Sequence, residues 1–308
     1  MTTTFNDLAD EVQINLSGYT FTQDKVTHLT AAVPATLSTI DAPIVISLGS
    51  TDSVGKGTIE IDEELIWIDS YDRVANTATV PPYGRGYLAT TPATHARGAK
   101  VTISPTFPRT AVKRAIDDTI RALGSVIAGV FQTTFTYNPA QTTYPFIDKN
   151  IKNILSISWE SIGPSKEWVP VRHYDFDPYA SETLYGANSQ TITIGDNILP
   201  GRTVKITYAT DPIPLDGDVN DDWTIITGLQ PSLKDVVILG ASYRLLAYLD
   251  PARASMTSPQ ADETDSKRPY GASASAVKQI YALYQQRLQE EILEQQRHYQ
   301  IRVHYARR

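Results

Sequence analysis

The sequence predicts an α+β fold: a four-helix bundle with two inserted all-β modules and an extended C-terminal arm. Three observations predict it. Apolar residues recur at helical spacing in four stretches far apart along the chain. The intervals between them change to period two, punctuated by Pro and Gly. The final residues then alternate again, past the last helix. A chain of 308 residues with 41% hydrophobic and 20% charged residues has the composition of one that buries a core.

The first helix opens at Thr4, a cap candidate with Asp7 three residues on, and carries Phe5, Leu8, Val12 and Leu16 before Gly18. The first β module, 26–104, has an apolar run at Ile44–Leu48 and a pair of strands in Thr58–Asp69 around a turn near Asp62-Glu63. Ala78–Val80 and Lys100–Ile103 add two more strands. Pro108 sits at the first position of a second helix, with Thr106 as its cap and Val112, Ile116 and Ile120 as its stripe. The second β module, 131–228, includes strands at Ile154–Trp159, Glu167–Val169, Gln190–Ile194 and Thr203–Tyr208, then a Pro- and Asp-rich loop at 211–222. A third helix runs from Pro231 to Asp250, and 251–271 reads as an exposed loop. A fourth helix covers about 272–297 with Ile280, Tyr284, Leu288 and Ile292 on one side. The early helices are too short to be stable alone. The economical solution packs 1–25, 105–130 and 229–296 together, with 297–308 as the arm.

Composition excludes several classes. With 27 basic and 34 acidic residues the net charge is −7, the wrong sign for a protein that coats nucleic acid. Without cysteine there is no disulfide, thiolate metal site or cysteine nucleophile, which suits assembly in a reducing cytoplasm. The N-terminus lacks the pattern of a signal peptide, and no apolar run is long enough to span a bilayer. Residues 1–72 hold two basic and twelve acidic residues, a balance of −10, so a strongly acidic surface is expected there.

Catalytic and cofactor motifs fail on spacing. Gly49–Gly57 has five residues between its first glycines instead of four, and Gly57 replaces the hydroxyl residue of a phosphate loop. Gly240-Ala-Ser242 and Gly271-Ala-Ser273 lack the closing glycine of a nucleophile elbow. Asp216–Asp222 alternates oxygen ligands like a calcium loop, but Asp221 and Thr227 stand where Gly and Glu belong, and a solvated turn is the plainer reading. His173, Asp175 and Asp177 alternate on one strand without a second ligand cluster. No enzyme activity, cofactor or metal is expected.

Thr4–Val12, Leu233–Leu249, Val277–Ile292 and the arginine-rich end resemble, in order, parts of the head-to-tail adaptor (connector) proteins of tailed bacteriophages. A second phrase, Arg85-Gly-Tyr-Leu-Ala-Thr-Thr-Pro-Ala-Thr-His95-Ala-Arg-Gly98-Ala-Lys-Val101, is similar to one in β modules of phage virion proteins, with Ala89 where that phrase has glycine. Within it, Arg85, Gly86, His95 and Gly98 are expected to structure the loop, a direct ligand role being the alternative. The resemblance implies an adaptor-like bundle and a structural virion protein at the head-tail neck, assembled in the host cytoplasm. It implies a homo-oligomeric ring, twelve copies in the family, around passing double-stranded DNA that is not specifically bound. It also implies two partners, the portal protein and a tail-side neck or tail terminator protein, and no membrane. A minor tail or baseplate protein with β modules for protein or host-glycan contact is the second reading, and a hydrolase of cell-wall or capsular polymers the third.

The portal-docking residues would be Arg297, Tyr299, Ile301, Arg302, Val303, Tyr305, Arg307 and Arg308. Tyr299, Ile301, Val303 and Tyr305 alternate with Gln300, Arg302 and His304, which is strand spacing and calls for a partner sheet. A disordered basic tail and a contact with packaged DNA are the alternatives.

Overall fold

The structure, a computed structural model, describes residues 2–19, 24–35, 43–51, 53–147, 149–162, 167–216, 220–247 and 272–299. Among these, fourteen strands form four antiparallel sheets, accompanied by six helices. The helices are α1 (Phe5–Ser17), α2 (Arg109–Leu123), α3 (Glu182–Tyr185), α4 (Trp223–Thr227), α5 (Lys234–Ala247) and α6 (Ala272–His298). The chain divides into two compact units, one of residues 7–116 and 238–281, the other of 1–6, 117–237 and 282–308.

The first unit holds β1 (Lys25–His28), β2 (Ile44–Ser47), β3 (Gly57–Ile61), β4 (Glu64–Ile68), β5 (Ser70–Asp72), β6 (Thr77–Val80) and β7 (Lys100–Ile103). They form sheets of order β1-β7-β3-β4 and β2-β6-β5. Alternation places Ile59, Ile61, Ile66, Ile68, Val80 and Val101 in one apolar core at 0–1% exposure. β3 and β4 form a hairpin pairing Ile61 with Glu64, with Asp62 in the left-handed region at φ 54°, which a short polar side chain tolerates.

The second unit holds β8 (Gly129–Thr136), β9 (Thr143–Ile147), β10 (Asn153–Glu160), β11 (Trp168–Pro170), β12 (Tyr174–Asp177), β13 (Ser189–Ile194) and β14 (Thr203–Thr210). Its sheets run β11-β10-β14-β8 and β12-β13-β9. Their shared core joins Ile192, Val204 and Ile206 to the aromatic residues Tyr144, Phe146 and Tyr208. Phe135 lies 4.2 Å from the Tyr144 ring and 6.1 Å from that of Phe146, centroid to centroid.

This corrects the expected architecture. The fold is mixed and mostly β modules, and a four-helix bundle core is not shown among the described residues. The reason lies in where apolar side chains go. Each β module closes an apolar cluster made wholly of its own strands and connections. The helices supply single rows: Phe5, Leu8, Val12 and Leu16 on α1, and only Ile280, Tyr284 and Leu288 among the described apolar side chains of the 27-residue α6. The residues expected to pack as a bundle are also divided between the units, the dividing points falling within α1, α2, α5 and α6.

Several local expectations change too. Thr106 does not cap α2; its amide and hydroxyl donate to Asp24 Oδ1, and the Arg109 amide at the head of α2 is met instead by the Glu60 carboxylate at 2.5 Å. The loop after 211 ends in α4, where Asp222 accepts from the Thr224 amide at 3.0 Å as an N-cap. The end of the third helix at Asp250 and the loop at 251–271 lie outside the described residues.

Candidate functional site

The phrase Arg85–Val101 folds over the outer edge of β4. The site's charged groups come from that loop and from the β3–β4 hairpin beneath it. β4 begins at Glu64, whose side chain points inward and is fully buried. Its Oε1 accepts from Arg85 Nε at 2.6 Å and the Gly86 amide at 3.0 Å. Its Oε2 accepts from Arg85 Nη2 at 2.7 Å, the Ala93 amide at 2.9 Å and His95 Nε2 at 2.9 Å. His95, also fully buried, places Nδ1 2.7 Å from Asp62 Oδ2. Arg85 completes its fork with the carbonyls of Pro34 and Ala93.

Both ring nitrogens of His95 face carboxylates, so both must donate, and the ring is an imidazolium. Glu64, Arg85 and His95 are the buried members, and Asp62, 60% exposed, closes the set at its rim; two anions then face two cations, and the buried charges are tolerated because each is hydrogen-bonded. Burial alone would raise the Glu64 pKa; the guanidinium of Arg85, then His95 and the two amides, reverse this and hold it at about 2. Burial alone would lower that of His95; Glu64 and Asp62 outweigh it and raise it above 6.5.

The backbone around the clamp is strained. Tyr83, Leu88 and Ala89 have φ of 62°, 54° and 63° without being glycine. Gly86, at φ 63°, needs its missing side chain: a Cβ there would come within 2.8 Å of the Thr90 carbonyl oxygen. Gly98 also lies at positive φ, 87°, and its amide donates to the Leu29 carbonyl. Thus Arg85, Gly86, His95 and Gly98 belong to one loop held onto the sheet. Within the clamp both oxygens of Glu64 and both ring nitrogens of His95 are engaged, while Asp62 keeps an exposed side chain. Chemically the arrangement fastens the loop to the sheet.

Sequence reasoning missed Glu64 and Asp62 as the clamp's other half. The signal was present: an arginine destined for burial requires a carboxylate, and Glu64 alternates in phase with buried Ile66 and Ile68.

A second ionic set meets part of the acidic stretch 1–72. Arg109 Nη1 pairs with Asp10 at 2.5 Å, Lys113 pairs with Glu63, and Lys56 with Asp69 at 2.8 Å. Two carboxylates of the stretch, Asp10 and Glu63, are thus met by basic residues of α2. Glu60 differs: burial pushes its pKa to about 7, with Arg109 opposing and Asp24 and Glu63 adding to the rise.

Elsewhere, Lys56 of the loop that resembles a phosphate loop is engaged by Asp69. Ser242 lies within α5 and donates to the Ile238 carbonyl. His173 pairs with Asp196 at 2.5 Å, while Asp177 accepts from the Tyr179 amide. Among the described residues no three His, Asp or Glu side chains are grouped to hold a metal, and no helix is long and apolar enough to cross a membrane. Of the calcium-like loop, Asp222 serves as the α4 cap, and 217–219 lie outside the described residues.

Of the expected portal-docking residues, Arg297 is in the last turn of α6, and the Tyr299 amide donates to the Gln295 carbonyl, so the helix persists past the expected start of the arm. Ile301, Arg302, Val303, Tyr305, Arg307 and Arg308 lie outside the described residues. No protein-family model and no curated protein matches the chain.

Proposed function

We propose that the protein is a structural virion component of a tailed bacteriophage, a head-to-tail adaptor subunit. In this reading copies assemble into a ring at the neck, on the path of the DNA. Each copy binds the portal through its C-terminal segment and contacts a tail-side protein with another surface. The observation that carries the reading is the Arg85–Val101 loop. The phrase similar to that of phage virion β modules turns Arg85 and His95 inward onto Glu64, as a rigid assembly module requires. The order of the elements, ending in a long helix that leads to a basic, alternating segment, supports the adaptor assignment in particular.

The predominance of β modules favours a second reading, a minor tail or baseplate protein. Labelled antibody on intact particles separates them: label at the neck supports the adaptor, label at the distal tail the second reading. A chain ended after Gln296 should fold yet fail to join DNA-filled heads to tails. Normal infectious particles from that truncation would exclude portal docking by the arm.

A further inference from the structure

The second β module has one undefended edge. β8 closes its sheet with β14 as its sole partner strand among the described residues. The Tyr137 amide donates to the Arg202 carbonyl, which fixes the phase of the ladder. Odd-numbered residues of β8 therefore bond β14, and the backbone groups of Gln132, Thr134 and Thr136 point outward. Val130, in the same phase, donates its amide outward to the Gly228 carbonyl at 2.8 Å; beyond it the edge is open.

Natural edges carry lysine, proline or inward charge against strand addition. β11, the opposite edge, ends in Pro170 and has Lys205 over its Trp168 ring at 4.2 Å. β12 displays Asp175 and Asp177. β8 reads Gly-Val-Phe-Gln-Thr-Thr-Phe-Thr, eight residues with no charge, no proline and high strand propensity. Its aromatic row, Phe131 and Phe135, is only partly buried at the margin of the core.

The end of α6 lies beside this edge. The Gln295 side-chain amide donates to the Ala128 carbonyl at 2.7 Å and accepts from the Ala128 amide at 3.1 Å, immediately before β8. The chain leaves the helix four residues later, on the order of 10 Å from the Gly129 end. Nine residues follow Tyr299, and their sequence alternates an apolar row, Ile301, Val303 and Tyr305, with a polar one.

We propose that the β8 edge of one copy is the acceptor for residues 300–308 of a second copy, which add as an antiparallel strand. The apolar row would extend the row of Phe131 and Phe135 over the core. The polar row, Gln300, Arg302 and His304, would lie beside Gln132, Thr134 and Thr136. Length excludes antiparallel pairing by the arm of the same chain. Eight residues of β8 span about 26 Å. An arm of nine residues reaches at most about 30 Å. Starting at the Gly129 end, it would use nearly all its length reaching Thr136, where antiparallel pairing begins. Its alternative, pairing parallel in its own subunit, is the weaker ladder and breaks the pattern of a sheet whose every other pair is antiparallel. The proposal rests on the neck reading only for the later fate of the arm, since docking on a portal would replace this contact; its test needs neither portal nor particle.

The cysteine-free chain makes the test clean. Single variants Gln132→Cys, Thr134→Cys or Thr136→Cys are mixed with Gln300→Cys, Arg302→Cys or His304→Cys and oxidised. Facing residues of a ladder lie within disulfide reach. Disulfides between the two kinds of chain are expected, strongest along one antiparallel register. In parallel, the amides of Gln132, Thr134 and Thr136 should exchange about tenfold or more slower in the full chain than in a chain ended at Tyr299. No disulfide in any pairing, disulfides formed only within one chain when both cysteines are present, or equal exchange in the two chains would each overturn the proposal.

Discussion

The two β modules solve one problem in opposite ways. Each must hold long connections against a pair of small sheets. The first does it with ions: Glu64, buried, gathers five donors from the 85–95 loop, and the loop can then keep Tyr83, Leu88 and Ala89 in left-handed conformations. The second does it with aromatic rings: Phe135, Tyr144, Phe146 and Tyr208 fill its core, and its buried hydroxyl at Tyr144 has a local partner in Asn138. An ionic clamp is directional and fails abruptly when one member is lost, because its partners stay buried and charged. An aromatic core is non-directional and degrades in proportion to the volume removed.

The largest effect should follow from Glu64→Gln. The amide keeps the shape but leaves the buried Arg85 without its counter-ion and His95 with Asp62 alone, a loss of about 3–5 kcal/mol. Hydrogen exchange resolved by peptide should show it in the first module and leave β13 and β14 unchanged. A loss below about 1 kcal/mol would mean that the clamp is not what closes this module.

Phe146→Ala, at 8% exposure, should cost about 3 kcal/mol in the second module. Unlike the first variant, its cost should not change between low and high salt, since no charge is involved. A salt-dependent loss would break the contrast.

The same contrast explains what was legible beforehand. Nine of the strands, among them those at Thr58–Asp69 and Thr203–Tyr208, announce themselves by an apolar run or by alternation, because their apolar side chains are buried. β8 and β12 do not: their exposed faces carry Thr, Gln and Asp around half-buried aromatic residues, and neither periodicity dominates. Arg85 and His95 were readable as loop residues from their phrase. Glu64 was legible only through its phase with Ile66 and Ile68, against the rule that a glutamate in an acidic hairpin is ordinarily a solvated one. The helices were legible as helices. Their arrangement was not, since a single apolar row says that a face is buried but not what covers it.

Acidity should separate the modules next. Glu64 is depressed from 4.5 to about 2, so its stabilisation is present above pH 4.5 and is lost as pH falls toward 2. His95 is raised, so its contribution is complete below 6.5 and is lost as pH climbs through its folded value. Glu60 is raised to about 7, so ionising it in the folded state costs stability between 4.5 and 7. In the second module burial raises Tyr144 and Tyr208 above 10, so alkaline loss begins there only past pH 10. As pH climbs from 6.5 through the folded value of His95, the first module should weaken while the second holds. Glu60→Gln should stabilise the first module by on the order of 1–2 kcal/mol at pH 8 and by almost nothing at pH 4, where both states bind the proton. Equal pH slopes for the two modules, followed by peptide-resolved exchange, would contradict the division.

The smallest effect tests the premise that burial, and not ion pairing as such, gives the clamp its strength. Lys56 and Asp69 belong to the same module and sit 2.8 Å apart, close to the distances within the clamp, but their side chains are 66% and 52% exposed. Water and salt screen such a pair, and holding two long side chains in register costs entropy. Lys56→Ala should therefore cost less than about 0.5 kcal/mol. Denaturant midpoints for Lys56→Ala and Glu64→Gln, measured side by side, give the ratio directly. If the exposed pair matched the buried one, the strength of the clamp would have to come from charge alone, and the five hydrogen bonds converging on Glu64 would lose their role as the reason the loop can hold its strained backbone.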